Sequence, residues 1–212
     1  MIMRKLILFI TISLFCVCAF GQTGEEIFDA NFNVKSKFID AYYIEPNVVL
    51  TPYILQKSNA VFTSNSGSFS VNYYKFKGSE YDPGYNVIEI LKNGTSVLQL
   101  KSSNGFEPIS SYVTGETGFY AYSSLDANTV ALIFNGYIFA SCPSMVSIVI
   151  IRNGTAKLVY NKPMFINSIT YNKSYGFTME LQSNTVEYIN NKPINQPALH
   201  KVWFVGSTLS YQ

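Results

Sequence analysis

Residues 87–100 read VIEILKNGTSVLQL, and residues 146–160 read VSIVIIRNGTAKLVY. Each stretch places Asn-Gly between two apolar runs rich in β-branched residues, which is the strongest short-range signal for a β-hairpin. Both central residues of a type I′ turn need a positive φ, and Asn and Gly tolerate it best. The two stretches therefore predict hairpins with turns at Asn93-Gly94 and Asn153-Gly154.

Similar patterns extend outward along the chain. Asn135-Gly136 lies between the apolar runs Thr129–Phe134 and Tyr137–Ala140 and predicts a third hairpin turn. Segment 68–77 alternates apolar residues and then changes phase from Tyr73 to Tyr74, which predicts a β-bulge in that strand. We therefore expect an all-β, antiparallel sandwich or barrel built from hairpins, in which each strand buries one face and solvates the other.

Short sequence motifs, including those of the two hairpins, occur twice along the chain. ILKNGT at 90–95 matches IIRNGT at 150–155, and GF and NTV at 118–119 and 128–130 recur at 176–177 and 184–186. The offsets shrink along the chain, as shorter loops in a second copy would produce. The pattern predicts two internal four-stranded repeats.

The first 21 residues have the character of a leader. Arg4 and Lys5 precede an apolar run from Leu6 to Phe20, followed by a small-x-small pattern that ends at Gly21. The run is shorter than the roughly 20 residues that a membrane-spanning helix needs. We expect residues 1–21 to be a signal peptide and residues 22–212 to be a single secreted, extracellular β-rich domain without a membrane anchor.

Composition limits the classes of partner. Of 212 residues, 48% are hydrophobic and 13% are charged, and from Gln22 onward 13 basic residues balance 13 acidic ones. A chain without net charge lacks the excess positive charge that would indicate binding to nucleic acid or to an anionic membrane. Only Cys142 remains after the leader, so no internal disulfide can form; its thiol is either buried or part of an intermolecular bridge.

Catalytic and cofactor signatures are missing from the sequence. The only histidine, His200, is interpreted as structural or exposed, and no nucleophile elbow, metal-ligand cluster or phosphate-binding glycine loop occurs. We expect no enzyme activity, no catalytic residue, no metal and no cofactor. Glu89, Glu180 and Glu187 lie in predicted strands and keep glycoside hydrolysis as the least favoured alternative. An outward-facing position is the simpler explanation, because Glu89 alternates with Ile88 and Ile90 and Glu187 lies between Val186 and Tyr188.

Two features of the sequence concern sugars. N-glycosylation sequons begin at Asn93, Asn153 and Asn172; they would carry glycans in a eukaryotic secretory pathway and would mean nothing in a bacterium. Abundant tyrosines also suit stacking on sugar faces, although aromatic side chains more often fill a β-sheet core. The tyrosines considered for such stacking are Tyr42, Tyr43, Tyr73, Tyr74, Tyr81, Tyr85, Tyr120 and Tyr122.

The leader, the Asn, Ser and Tyr bias, the sequons and the repeated I-x-K/R-N-G-T hairpins together resemble the counting factor-associated proteins A, B and C, small secreted proteins of social amoebae. The resemblance implies association with a secreted complex that senses cell number, and it supplies no catalytic residue. We expect a secreted, non-enzymatic glycoprotein that contacts secreted protein partners; the alternative is a carbohydrate-binding, lectin-like module that recognises glycans.

Overall fold

The computed structural model describes residues 24–40, 47–64, 66–78, 85–107, 120–123, 128–136, 143–172 and 176–212. The predicted signal peptide and Cys142 lie outside these residues. The strands of the first half are β1 (Glu25–Glu26), β2 (Tyr53–Ser64), β3 (Gly67–Phe76), β4 (Tyr85–Lys92), β5 (Thr95–Glu107), β6 (Tyr120–Ser123) and β7 (Thr129–Gly136). Those of the second half are β8 (Ser144–Arg152), β9 (Thr155–Asn172), β10 (Gly176–Gln182), β11 (Tyr188–Ile189), β12 (Lys192–Pro193), β13 (Leu199–Val205) and β14 (Thr208–Tyr211).

Twelve of these strands form one sheet in the order β1-β14-β13-β10-β9-β8-β7-β5-β4-β3-β2, with β6 paired to β7 outside that path. Every strand pair in the sheet is antiparallel. β11 and β12 form a separate two-stranded hairpin, and a short 3₁₀ turn spans Ser36–Phe38. The all-β, antiparallel prediction is therefore confirmed. Within the described ranges, no helix has the length and apolar character that crossing a membrane requires.

The sheet carries two hydrophobic cores, one on each face of β7 and β8. Along β7, Val130 and Leu132 pack with β3, β4 and β5 in one core, whereas Ala131 and Ile133 pack with β10, β13 and β14 in the other. All eight residues of β7 are buried. The expectation that each strand solvates one face is thus wrong for these central strands, because the sheet and the N-terminal segment cover both sides of them.

The two Asn-Gly hairpins form as predicted. φ is 51° at Asn93 and 80° at Gly94, and it is 49° at Asn153 and 77° at Gly154, as type I′ turns require. Each turn joins two residues that pair across the hairpin: Lys92 with Thr95 in the first hairpin, and Arg152 with Thr155 in the second.

The hairpin predicted at Asn135-Gly136 is wrong, because both residues continue β7. Asn135 pairs with Val146, and its side-chain oxygen accepts a hydrogen bond from Ser144 Oγ at 2.6 Å. A Cβ on Gly136 would lie 3.0 Å from Met145 Cβ. Gly136 therefore permits close packing against β8, and the Asn135 side chain accepts the hydrogen bond of the buried Ser144 hydroxyl.

The predicted bulge lies in the neighbouring strand. β3 pairs with β4 without interruption through Tyr73 and Tyr74, so β3 itself is regular. Opposite these two tyrosines, the register with β2 shifts between Leu55 and Lys57, which leaves Gln56 as the extra residue. The change of phase at Tyr73 and Tyr74 therefore predicted a bulge at the correct level of the sheet, but the bulge is in β2 and not in β3.

The predicted internal repeat extends no further than its hairpins among the described residues. Thr129 and Val130 of NTV at 128–130 are the first two residues of β7, and Val130 is buried. Its counterpart at 184–186 lies between β10 and β11 and belongs to no strand. GF at 118–119 lies outside the described residues.

Candidate binding site

Two of the three sequon asparagines occupy exposed hairpin tips at the same end of the sheet. Asn93 and Asn153 are both exposed. A Cβ built on Gly154 would lie 2.7 Å from Lys92 Nζ, so the two tips are neighbours. Asn172 is the last residue of β9, and the serine of its sequon lies outside the described residues. Glycosylation at the three positions stays a prediction.

Glu89 lies in a buried polar cluster. Only 5% of the residue is exposed, and its carboxylate accepts hydrogen bonds from Tyr74 Oη at 2.6 Å and from Gln99 Nε2 at 2.9 Å. The backbone N–H of Val48 donates to Gln99 Oε1 at 2.9 Å, so the segment before β2 covers this face. Burial raises the pKa of the Glu89 carboxyl, but the hydrogen bonds from Tyr74 and from amide and hydroxyl neighbours outweigh it and hold the pKa below its usual value. The outward-facing interpretation of Glu89 is therefore wrong.

The other two candidate acids lie apart from Glu89. Glu180 is exposed on β10, where it accepts a bond from Ser168 Oγ at 3.3 Å, and four strands separate β10 from β4 in the sheet order. Glu187 is exposed outside the sheet, between β10 and β11. The structure does not bring these carboxylates together as the pair that glycoside hydrolysis uses. Within the described residues there is also no group of three or more His, Cys, Asp or Glu side chains that could hold a metal ion.

His200, on β13, is held by hydrogen bonds at both ring nitrogens. Tyr211 Oη lies 2.7 Å from Nδ1, and Ser183 Oγ lies 2.9 Å from Nε2. Burial raises the pKa of the Tyr211 phenol. Because the phenol and the Ser183 hydroxyl can each donate or accept, both contacts can form with either neutral tautomer of the ring. The two rings also stack, with centroids 5.5 Å apart. His200 thus orients Tyr211.

Tyr211 forms one wall of a cavity of about 350 Å³ between the N-terminal segment and the sheet. Its aromatic wall consists of Phe38, Tyr160 and Tyr211. The Phe38 centroid lies 5.3 Å from that of Tyr211 and 6.4 Å from that of Tyr160, so the three rings form one contacting group. The Tyr160 side chain is fully buried, and in the described part of the chain its hydroxyl has no hydrogen-bond partner.

The rim of this cavity is charged. Glu25 accepts hydrogen bonds from Lys37 and Lys35, and the bond from Lys37 above all lowers the pKa of its carboxyl. Lys37 Nζ also lies 5.3 Å from the centroid of the Phe38 ring. Lys162 projects from the same face of β9 as Tyr160 and lines the cavity. Among the described residues Lys162 has no ion pair.

A second cavity, of about 370 Å³, adjoins the first through His200. Its other lining residues are Asn167, Glu180, Leu199, Lys201 and Gln212. Apart from the histidine it has no aromatic wall, and its charges are one acid and one base. The first cavity therefore offers the more distinctive chemistry.

Sequence reasoning missed the residues of the aromatic wall. Of the tyrosines considered for sugar stacking, Tyr73 and Tyr122 are buried in the two cores. Tyr42, Tyr43 and Tyr81 lie outside the described residues. Nothing in the local sequence of β9 indicates that Phe38 and Tyr211 meet Tyr160 there.

The fold and the cavity define an all-β protein built on one antiparallel sheet, with a small aromatic site beside its N-terminal segment. No family model, no curated protein and no solved structure matches the chain.

Proposed function

We propose that this protein is a secreted, non-enzymatic glycoprotein that acts through contacts with other extracellular proteins. The observation that carries the proposal is an apolar arm, residues 183–199, which runs from the end of β10 to the first residue of β13 and contains the β11–β12 hairpin. Four large apolar side chains on the arm are more than half exposed: Tyr188 (64%), Ile189 (59%), Ile194 (54%) and Leu199 (62%). Exposed apolar side chains that occur singly are ordinary, whereas several on one short segment are typical of an interaction surface.

The arm is ordered by its own asparagine side chains. Asn195 accepts a hydrogen bond from the Glu187 N–H at 2.8 Å and donates to the Thr185 carbonyl at 2.9 Å. Asn184 accepts from the Ala198 N–H at 2.6 Å, and its amide donates across the arm at 2.9 Å. Because these bonds fix the arm before a partner arrives, binding loses less conformational entropy than it would with a mobile loop.

The chemistry of the arm also indicates the kind of partner. Its only charges are Glu187 and Lys192, which cancel. Association should therefore depend on apolar burial and respond weakly to salt. The resemblance to the counting factor-associated proteins makes a secreted complex that senses cell number the expected partner.

The test is recovery of tagged, full-length protein from the culture medium, with co-eluting proteins identified by mass spectrometry. The test variant is Tyr188→Ser combined with Ile189→Ser on the arm. The matched control is Ile54→Ser combined with Leu55→Ser on β2, where the side chains are 49% and 50% exposed. We expect the arm variant to lose a partner that the control retains. Elution without a partner, or equal loss in both variants, would refute the proposal.

A further inference from the structure

We infer that Asn153 is the site at which the folded chain undergoes deamidation, the uncatalysed conversion of asparagine to aspartate or isoaspartate, wherever that residue carries no glycan. The inference does not depend on the protein contacts proposed for the apolar arm. It gives the β8–β9 turn a second modification, which competes with glycosylation for the same side-chain nitrogen.

The reaction needs only a backbone nitrogen and water. The Gly154 nitrogen forms a bond with Asn153 Cγ, its proton passes through solvent to the side-chain nitrogen, and the bond from Cγ to that nitrogen breaks as ammonia leaves. Water then opens the resulting cyclic imide at either carbonyl, which gives aspartate or isoaspartate and a new negative charge. A glycine after the asparagine favours ring closure, because no Cβ hinders the attacking nitrogen.

The structure distinguishes between the four Asn-Gly pairs of the chain. Asn135-Gly136 is buried in β7, and Asn104-Gly105 lies within β5, where Gly105 is buried. Ring closure at either pair would require part of a strand to unfold. The other two pairs occupy exposed turns, and both read Asn-Gly-Thr after a basic residue. The intrinsic reactivities of Asn93 and Asn153 should therefore match, so any difference between them comes from the fold.

Two hydrogen bonds to Ser68 protect Asn93. The Ser68 N–H donates to Asn93 Oδ1 at 2.9 Å, and the Asn93 N–H donates to the Ser68 carbonyl at 2.8 Å. The side chain must rotate to bring Cγ to the next backbone nitrogen, so ring closure at Asn93 must break the bond to Oδ1. Within the described ranges no hydrogen bond holds the Asn153 side chain, which is therefore free to rotate.

The Lys92 ammonium group favours the reaction at Gly154. A Cβ built on Gly154 would lie 2.7 Å from Lys92 Nζ, although Lys92 precedes Asn93 in the sequence. A positive charge so close favours loss of the proton from the Gly154 N–H, and it stabilises the negative charge that forms on the side-chain oxygen during attack. In the described part of the chain Lys92 forms no ion pair that would offset this effect.

The experiment measures deamidation by peptide mapping of the full-length protein with Thr95→Ala and Thr155→Ala, which remove both turn sequons but keep both Asn-Gly pairs. Conversion at Asn93 and at Asn153 is followed at mildly alkaline pH, in the folded protein and in urea. The test variant is Lys92→Gln, and the matched control is Lys92→Arg, which retains the positive charge. Thermal melting of both variants verifies that they remain folded.

In the folded protein we expect Asn153 to convert about fivefold faster than Asn93, the factor that one net hydrogen bond supplies, whereas in urea the two rates should agree. Lys92→Gln should slow conversion at Asn153 by about threefold, and Lys92→Arg should leave it unchanged. Three results would each overturn the inference: equal rates at the two sites in the folded protein, conversion that requires urea at both sites, or a rate at Asn153 that Lys92→Gln does not change.

Discussion

The side-chain oxygen of Asn93 accepts a hydrogen bond from the backbone N–H of Ser68 at 2.9 Å, and the Asn93 N–H donates to the Ser68 carbonyl at 2.8 Å. Asn93 is therefore both a turn residue of the β4–β5 hairpin and a clamp on the start of β3. The side-chain nitrogen, to which a glycan would be attached, takes no part in this clamp.

The clamp predicts unequal effects at the two sequon turns. Asn93→Gly keeps the positive φ but loses the bond to Ser68, so it should lower the free energy of unfolding by about 1 kcal/mol more than Asn153→Gly does. Asn93→Asp keeps the acceptor oxygen and should melt near the parent. Each of the three changes should remove one glycan's mass in a glycosylating host, as Thr95→Ala should also do. Equal melting of the two Gly variants would show that the bond to Ser68 contributes nothing.

Substitution of the glycines in the same two turns should also destabilise the protein to different extents. An alanine at either position is strained by the positive φ, which costs about 1 kcal/mol. A Cβ at Gly94 meets nothing within 4 Å, whereas one at Gly154 would lie 3.1 Å from Ser66 Cβ and 2.7 Å from Lys92 Nζ. Denaturant unfolding should therefore show Gly154→Ala to be less stable than Gly94→Ala. If both alanine variants unfold like the parent, neither turn is type I′.

Two tyrosines provide a contrast in hydrogen bonding. Tyr74 Oη donates to the Glu89 carboxylate at 2.6 Å, whereas the Tyr160 hydroxyl is buried without a partner among the described residues. Removal of an unpaired buried hydroxyl should leave stability unchanged or raise it by about 1 kcal/mol, whereas removal of a paired one should lower it by a similar amount. We expect Tyr160→Phe to melt at or above the parent and Tyr74→Phe below it. The reverse order would contradict the assigned hydrogen bonding.

Because of Glu89, the free energy of unfolding should depend on pH in the acidic range. Its pKa is lower in the folded protein than its ordinary value of 4.5, so its contribution is present above that value and is lost as the pH falls through the folded pKa. Glu89→Gln should destabilise the protein at pH 7 by about 1–3 kcal/mol, because hydrogen bonds to a buried charge are lost. The difference between variant and parent, measured by urea unfolding, should shrink below about pH 4.5. A difference that stays constant down to pH 3 would show that the Glu89 charge is not involved.

The sequence predicts the parts of this fold that depend on local backbone chemistry. Asn93-Gly94 and Asn153-Gly154 sit between apolar runs, and their turns form because few other residue pairs accept two positive φ angles. Asn135-Gly136 carries the same signal but continues a strand, because a buried hydrogen bond to Ser144 and close packing on Met145 outweigh the turn preference. A local pattern cannot reveal such long-range contacts.

The candidate cavity was beyond sequence reasoning for the same physical reason. Its wall joins Phe38 from the N-terminal segment, Tyr160 from β9 and Tyr211 from the last strand. Asn161 helps to assemble it: its fully buried side chain donates to the Asp40 carbonyl at 2.6 Å and accepts from Ser147 Oγ at 2.9 Å. Only the folded sheet brings residues so distant in the chain into contact.

Hydrogen–deuterium exchange of the protein, alone and bound to the partner recovered from the medium, identifies the amides that the partner covers. If the apolar arm is the interaction surface, amides in residues 183–199 should exchange more slowly in the complex, while those of β2 should be unchanged. The protection should persist at high salt, because the charges of the arm cancel. Protection confined to β2, or no change anywhere in the arm, would show that the arm is not the interaction surface.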